Sequence, residues 1–270
     1  MRTRTRLLTS LAGVALAFTA IAAHAQALEE GRLLLATQVL NDIRNSRDQG
    51  IPDRLLERAY GIAVIPDYTK VAFFLGGARG HGVLVVRNSS GRFSDPVFIT
   101  LTGGSFGFQW GVQKADLVLI FTSRKGVEGI TGGKLTLGAD VSVAAGPVGR
   151  QASAATDQAF NAGVYSYSHT RGIFAGIALS GAALTIDDSA NADFYHQPGL
   201  LASSIISGGV QTSDFAAQRF LTAVSEGTGV QPASSMASSA AAPAAPAPAK
   251  PGAAAQAFPL QDSNPGGNPN

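Results

Sequence analysis

The sequence predicts an α+β domain: an N-terminal amphipathic helix packed on a large, mainly antiparallel, twisted or barrel-like glycine-rich sheet, with a C-terminal helix. Three observations point there. Residues 28–47 place apolar side chains at helical spacing. From Gly61 onward the period becomes two, in short apolar runs bounded by Gly, Pro, Asp and Asn. The chain has 32 glycines and no cysteine, so a packed core and not disulfides must hold it.

Met1 to Ala25 has the order of a secretory signal. Arg2, Arg4 and Arg6 are followed by a mostly apolar stretch from Leu7 to Ala23, then by Ala23-His24-Ala25, a small-x-small cleavage pattern. The mature chain is expected to start at Gln26, and the protein to be exported to a periplasm or cell envelope. With no cysteine after the apolar stretch, a lipid-anchored lipoprotein is excluded. Without the three signal arginines, 17 basic groups face 18 acidic ones, so no bulk positive charge speaks for nucleic acid.

The elements follow in order. Leu28 to Arg47 reads as a helix with Leu35, Val39 and Ile43 on one stripe and Ala36 and Leu40 beside it. Glu29 and Glu30 at its start and Arg44 and Arg47 at its end suit the helix dipole. Its apolar face packs on the sheet or lies on a membrane; its balanced charges favour the sheet. Pro52 opens a short helix through Ala59. Strands are expected at Gly61–Ile65, Val71–Leu75, Gly82–Arg87 and Val97–Thr102. Ser105–Gln113 alternates, with Phe106, Phe108, Trp110 and Val112 on one face. Asp116–Thr122 is apolar on both faces, as a central strand is. Further strands are expected at Lys134–Ala145, Val164–His169 and Ile173–Ile186, and a closing helix at Ser213–Val224. From Gly227 to Asn270 the chain turns to Ala, Pro and small polar residues that bury too little to offset ordering, so a disordered tail is expected after a domain spanning residues 26–226.

Little in the sequence offers catalysis. Gly103-Gly104-Ser105-Phe106-Gly107 fits the pattern of a nucleophile elbow, but the serine leads into a strand and not a helix, so a serine hydrolase is the weakest reading. His81, His169 and His196 have no partner at ligand spacing, and no metal or organic cofactor is expected. Asp187, Asp188 and Asp193 read as a turn and helix cap. Gly76-Gly77-Ala78-Arg79-Gly80-His81-Gly82 reads as a turn joining two strands, with free N–H groups able to cradle an anion beside Arg79 and His81. Lys70, Arg87, Arg124, Lys125 and Lys134 fall at expected strand ends or loops. Brought together they form a phosphate-binding rim; left apart they are solvated charge, and residue types leave both readings open. The glycines themselves read first as sheet curvature and bulges, and second as close backbone approach to a ligand.

The runs GIAVIPDYTKVAFFLGGARGHGVLVVR, FSDPVFITLTGGSFGFQWGVQ, GKLTLGADVSVAAGPVGR and YSYSHTRGIFAGIALSGAALTIDDSANADFYH together resemble the SYLF domain family, the yeast actin-patch and Las17-binding regulators, over roughly Leu28 to Glu226. The resemblance implies a lipid-binding module and no enzyme. It implies anionic phospholipids or a membrane surface as partner, bound by basic residues and an amphipathic N-terminal helix, and a peripherally membrane-associated protein. Some family members also bind actin, so a structural or protein-interaction role in the envelope is the alternative. An exported chain would not meet actin or phosphoinositides, whereas any anionic phospholipid headgroup offers the phosphate that basic residues need.

Overall fold

The computed structural model describes residues 26–42, 50–72, 75–88, 90–106, 111–147, 161–170, 173–176 and 179–230. The signal-like segment and residues 231–270 lie outside them. Nine strands form one sheet: β1 (Gly61–Ala72), β2 (Leu75–Val86), β3 (Val97–Phe106), β4 (Gly111–Phe121), β5 (Lys134–Thr136), β6 (Val143–Ala145), β7 (Val164–Thr170), β8 (Ile173–Gly176) and β9 (Ala183–Ile186). The order across the sheet is β5-β9-β3-β2-β1-β4-β7-β6, with β8 also on β7, and every pairing is antiparallel except β6 with β7. Among the described residues six helices accompany it: α1 (residues 26–42), α2 (Asp53–Glu57), α3 (Arg124–Thr131), α4 (Asp188–Phe194), α5 (Ala202–Ile206) and α6 (Phe215–Thr228). The predicted α+β class, with a helix at each end of a mainly antiparallel sheet, is the observed one.

The sheet curls. Leu137 continues the β5 pairing, donating its N–H to Ala182 O (2.8 Å), while Ser142 O accepts from Val164 N on β7 (2.9 Å). These residues belong to opposite edges of the sheet, yet only four residues separate them, and Leu137 bridges Val141. Two edges tied by so short a link force the sheet round on itself. Its inner face holds Ala63, Ile65, Leu84, Leu101, Leu117, Leu119 and Leu184, closed over by Val127 and Ile130 of α3 and Ile205 of α5. Its outer face holds Ile62, Val64, Val83, Val85, Phe98, Val118 and Ile120, covered by α1, α2, α4 and α6. Both faces of β1, β2 and β4 are therefore buried, which is why these runs read as continuously apolar.

Alpha1 packs on this outer face through Leu33, Ala36, Val39 and Leu40. The expected stripe is rotated: Leu35 is 47% exposed, and Leu28 and Leu34 are exposed with it. Ile43, Arg44 and Arg47 fall outside the described residues. Several predicted boundaries move. Gly61–Ile65 and Val71–Leu75 are two ends of one arrangement, β1 running through to Ala72 and β2 beginning at Leu75. Ser105–Gln113 is not one strand: Ser105 and Phe106 end β3, Gly111 begins β4, and Phe108 and Trp110 lie outside the described residues. Lys134–Ala145 divides into β5 and β6, because Gly138 takes a positive φ (+88°) and Asp140 receives the Thr136 amide (2.6 Å). Ile173–Ile186 likewise divides, with Gly181 at φ +86°. The last helix runs to Thr228, which is buried, and Gly229 caps it at φ +67°, so the domain extends past Glu226.

The glycine-rich run is strand, not turn. Gly76 to Gly82 lies inside β2, with β1 on one side and β3 on the other. Its inward positions are Gly76, Ala78, Gly80 and Gly82. Opposite them β1 carries a bulge between Ile65 and Tyr68, with Asp67 at φ +51°. The bulge presses into the space: a Cβ on Gly80 would stand 2.5 Å from Ile65 Cγ2, and one on Gly82 2.5 Å from the Val64 carbonyl oxygen. Curvature and a bulge explain these glycines, as the first of the two readings had it.

Two predictions follow from the packing. Gly82→Ala meets backbone and should destabilise by about 1–3 kcal/mol, read as a lowered Tm. Gly103→Ala meets only the Tyr68 hydroxyl, at 2.8 Å, the end of a side chain that can move, and should cost clearly less. Equal losses would show that the bulge does not set the constraint. The second concerns Asp95, in the loop from β2 to β3. It is 1% exposed, burial raises its pKa to about 6, and although the Thr212 amide pulls the other way, neither carboxylate oxygen completes a hydrogen bond among the described residues. The folded state thus binds its proton more tightly than the unfolded chain, and stability falls as pH rises from 3.8 to about 6. Asp95→Asn should raise stability by about 1–3 kcal/mol above that window and change little below it, measured by denaturant titration at both ends.

Candidate functional site

The strands of the sheet end in two different places. At one end lie Gly61, Val86, Val97, Phe121 and Val164, packed against α3. At the other lie Ala72, Gly76, Ser105, Gly111 and Thr170, beyond the helices. This second, open end leads into a cleft of about 1130 Å³ on the inner face, lined among others by Tyr68, Lys70, Gly103, Ser168, Ser180 and Ala182. From β2 and β3 only small residues line the cleft, Ala78, Gly103 and Gly104, which leaves its space open. Burial pushes the Tyr68 phenol up from its ordinary pKa, so it stays a neutral donor at the back of the cleft.

The seven basic candidates do not form one cluster. Lys70 lies on the inner face of β1, in the cleft. Arg79 is exposed on the outer face of β2, beside Thr69 and Thr102. These two share the open end, and neither makes an ion pair with the described residues. Arg87 is at the closed end and is structural: its Nε donates to Ala59 O (3.0 Å), its Nη2 to Glu57 O (3.0 Å), and its guanidinium sits over the Phe93 ring at 5.3 Å. Arg124 and Lys125 begin α3, also at that end; Arg124 pairs with Glu128 at 2.7 Å. Lys134 is exposed on β5, level with Thr185, Thr100 and His81 across the sheet but three strands from the histidine. Because Gly76–Gly82 is paired strand, its N–H groups serve the ladder, and the expected anion-binding turn is not formed.

His81 has a different role. Its Nδ1 lies 3.2 Å from Asp187 Oδ2 and 3.2 Å from the Thr100 hydroxyl. Asp187 caps α4, accepting from Ala190 N, and its Oδ2 stands 3.5 Å from Arg32 of α1. Arg32 in turn pairs with Glu29 at 3.0 Å and lies over the Phe98 ring. Glu29, expected to act on the helix dipole, is instead buried, and burial raises its pKa against the pull of Arg32. This network clamps α1 and α4 to the outer face. His169 is also satisfied, 3.3 Å from Asp116, whose other oxygen accepts the Asp67 amide at 3.0 Å. Ser105 lies in β3 opposite Gly76, without the strand–turn–helix that a nucleophile elbow needs.

Residues 102–226 match the family model described as Ysc84, "Las17-binding protein actin regulator". Over that stretch the chain is similar to the SYLF family. Relatives include SH3 domain-containing YSC84-like protein 1 of Xenopus laevis, 36% identical over 166 residues, which are 61% of this chain and 49% of the relative. Protein YSC84 of Saccharomyces cerevisiae is 38% identical over 167 residues, 61% of this chain and 35% of the relative. The human YSC84-like protein 1 is 36% identical over 155 residues, 57% of this chain and 45% of the relative. This chain therefore spans half or less of the length of the SYLF proteins it matches. The family description speaks of binding and regulation, and LAS seventeen-binding protein 3 of Saccharomyces cerevisiae, 37% identical over 167 residues, 61% of this chain and 36% of the relative, is named for binding.

Sequence reasoning missed Lys114. It faces outward on β4, in register with Thr69, which is itself in register with Arg79. Its side chain is 62% exposed and stands 3.7 Å from Asp67. The alternation of Ser105–Gln113 stops one residue short of it, and only the pairing of β4 with β1 brings it near Arg79. The polar network around Asp187 was equally hidden, because its members come from positions 29, 32, 81, 100 and 187.

That network gives a third prediction. Burial alone would raise the pKa of Asp187, but bonds from Ala190 N, Ser189 and His81 and the charge of Arg32 outweigh it and hold the carboxyl below its ordinary value. Its contribution is present above the unfolded carboxylate pKa and lost as pH falls through the folded one. Asp187→Ala should cost about 1–2 kcal/mol at neutral pH, for the cap and the ion pairs together. Thermal melts of the two proteins should converge as pH is lowered below about 4.

Proposed function

We propose that this SYLF domain binds anionic phospholipids at a membrane surface of the cell envelope, without catalysis, through the open end of its sheet. The observation that carries the reading is the placement of Lys70, Arg79 and Lys114 on the neighbouring strands β1, β2 and β4, all within the last turns of pleat before the strands end. Lys70 stands in a cleft with Lys114, Ser168 and Ser180, which offer ammonium and hydroxyl donors to a phosphate; the two carboxylates that also line it, Asp67 and Asp116, are engaged with Lys114 and with His169 and the Asp67 amide. Arg79 and Lys114 offer donors on the outer face, flanking Thr69. The export-type segment Met1 to Ala25 supports the envelope as the compartment, since a phospholipid surface is present there.

The relatives' names favour a second reading, a protein partner. A purified system separates the two: vesicles of phosphatidylcholine with phosphatidylglycerol as the minor lipid, and no other protein. The expected result is co-sedimentation that weakens with added salt. Replacing both Lys70 and Arg79 with Gln should lower affinity about ten- to a hundredfold, as loss of charge-assisted contacts does. Lys125→Gln, at the closed end, should bind as the parent protein does. No sedimentation of the parent protein with these vesicles would leave the protein-partner reading.

A further inference from the structure

We propose that the open end of the sheet enters the bilayer end-on, with Val71 and Val112 passing into the headgroup–acyl boundary while Lys70, Arg79 and Lys114 hold the phosphates. The proposal rests on the phospholipid reading above and adds the part of the molecule that inserts. Val71 and Val112 are exposed by 40% and 65%, and they are in register across β1 and β4 on the outer face, where none of the described helices covers them.

The order of side chains along the strands names the occupant. On β4, Val112 is followed outward-facing by Lys114 and then by Asp116. On β1, Val71 is followed by Thr69, with Lys70 on the inner side, and then by Asp67 in the bulge. On β4 the apolar group thus comes first, the cation about 7 Å behind it and the carboxylate about 7 Å further back, at two residues per step, while Lys70 on β1 stands one residue, about 3.4 Å, behind Val71. An anionic bilayer demands this sequence: an apolar tip, a basic layer at the phosphates, and acidic groups held off. The carboxylates are also engaged, Asp116 with His169 and the Asp67 amide, and Asp67 with Lys114. The depth agrees with the roughly 5–10 Å to which interfacial elements bury their apolar groups. Lys70 faces inward and Arg79 and Lys114 outward, so a flat partner laid on one face would reach only part of the set. A bilayer that surrounds the strand ends reaches both faces.

The chain lacks cysteine, so a single introduced thiol can carry an environment-sensitive fluorophore. The experiment uses the full chain with Val112→Cys, and Ser90→Cys as the control in the β2–β3 loop at the closed end. Both are mixed with the phosphatidylcholine–phosphatidylglycerol vesicles. The probe at position 112 should shift to the blue and be quenched by acyl-chain quenchers, while the probe at position 90 should not change. Val112→Asp should weaken sedimentation more than tenfold, and Val112→Thr, which keeps the strand-forming shape, should weaken it less. Thermal melts confirm that each variant is folded. If the parent protein sediments with vesicles but the probe at position 112 stays in water and Val112→Asp binds unchanged, this inference falls and the phospholipid reading stands. If the parent protein does not sediment, the reading falls and this inference with it. A shift at position 112 that follows protein concentration without vesicles would assign the strand ends to a contact between copies of the chain, and would also overturn the proposal.

Discussion

The bulge of β1 against the glycines of β2 is the contact on which the rest of the molecule depends. One extra residue between Ile65 and Tyr68 must go somewhere, and the inward side of β2 is bare at Gly80 and Gly82. The β1 backbone moves into that space, with Ile65 and Tyr68 lying where side chains of β2 would otherwise stand. On one side of the bulge, both faces of the sheet are packed, by α3 and α5 inside and by α1, α2, α4 and α6 outside. On the other side the strands continue without cover from the described helices, and small residues of β2 and β3, Ala78, Gly103 and Gly104, line a cleft. Curvature, cleft and exposed strand ends thus share one origin.

The polar groups respect the same division. Around the packed half, ionisable side chains are spent on position: Arg87 closes the end of α2, and Glu29, Arg32, His81 and Asp187 hold α1 and α4 down. Asp95 stands out there, since burial raises its pKa against the pull of the Thr212 backbone and neither oxygen completes a hydrogen bond among the described residues. Beyond the bulge, Lys70 and Arg79 make no ion pair with the described residues, and Lys114 makes a long one. Cations without strong internal partners remain available to an outside anion. That contrast, more than the number of basic residues, separates binding candidates from scaffold in a chain whose overall charge is close to balanced.

Similarity to the SYLF family, described by Las17 binding and actin regulation, joins this chain to longer proteins over about half or less of their length. The shared part includes β4, the edge-closing link at 137–142, and β7 to α6. It is the part that carries Lys114, Asp116 and His169. The physical reading of the open end stands on this chain's own residues.

The sequence by itself determined the fold class, the helix at each end, the continuous apolar strands and the absence of disulfides, because these depend on local period and composition. It also indicated that Asp187 would cap a helix, a property of near neighbours in the chain. It could not place α1's buried face, since Leu33 and Leu35 differ only in which one the sheet meets. It could not show that Lys134–Ala145 serves opposite sheet edges, because the decisive contacts are with β9 and β7, far along the chain. The glycine run misled for the same reason: Gly76–Gly82 has the composition of a turn, but pairing on both sides makes it strand, and its glycines answer to Ile65 and Tyr68. Of the basic candidates, only tertiary structure could decide which share an end of the sheet. Strand register, which brings Arg79, Thr69 and Lys114 into one row, is a property of three strands together and is written in none of them alone.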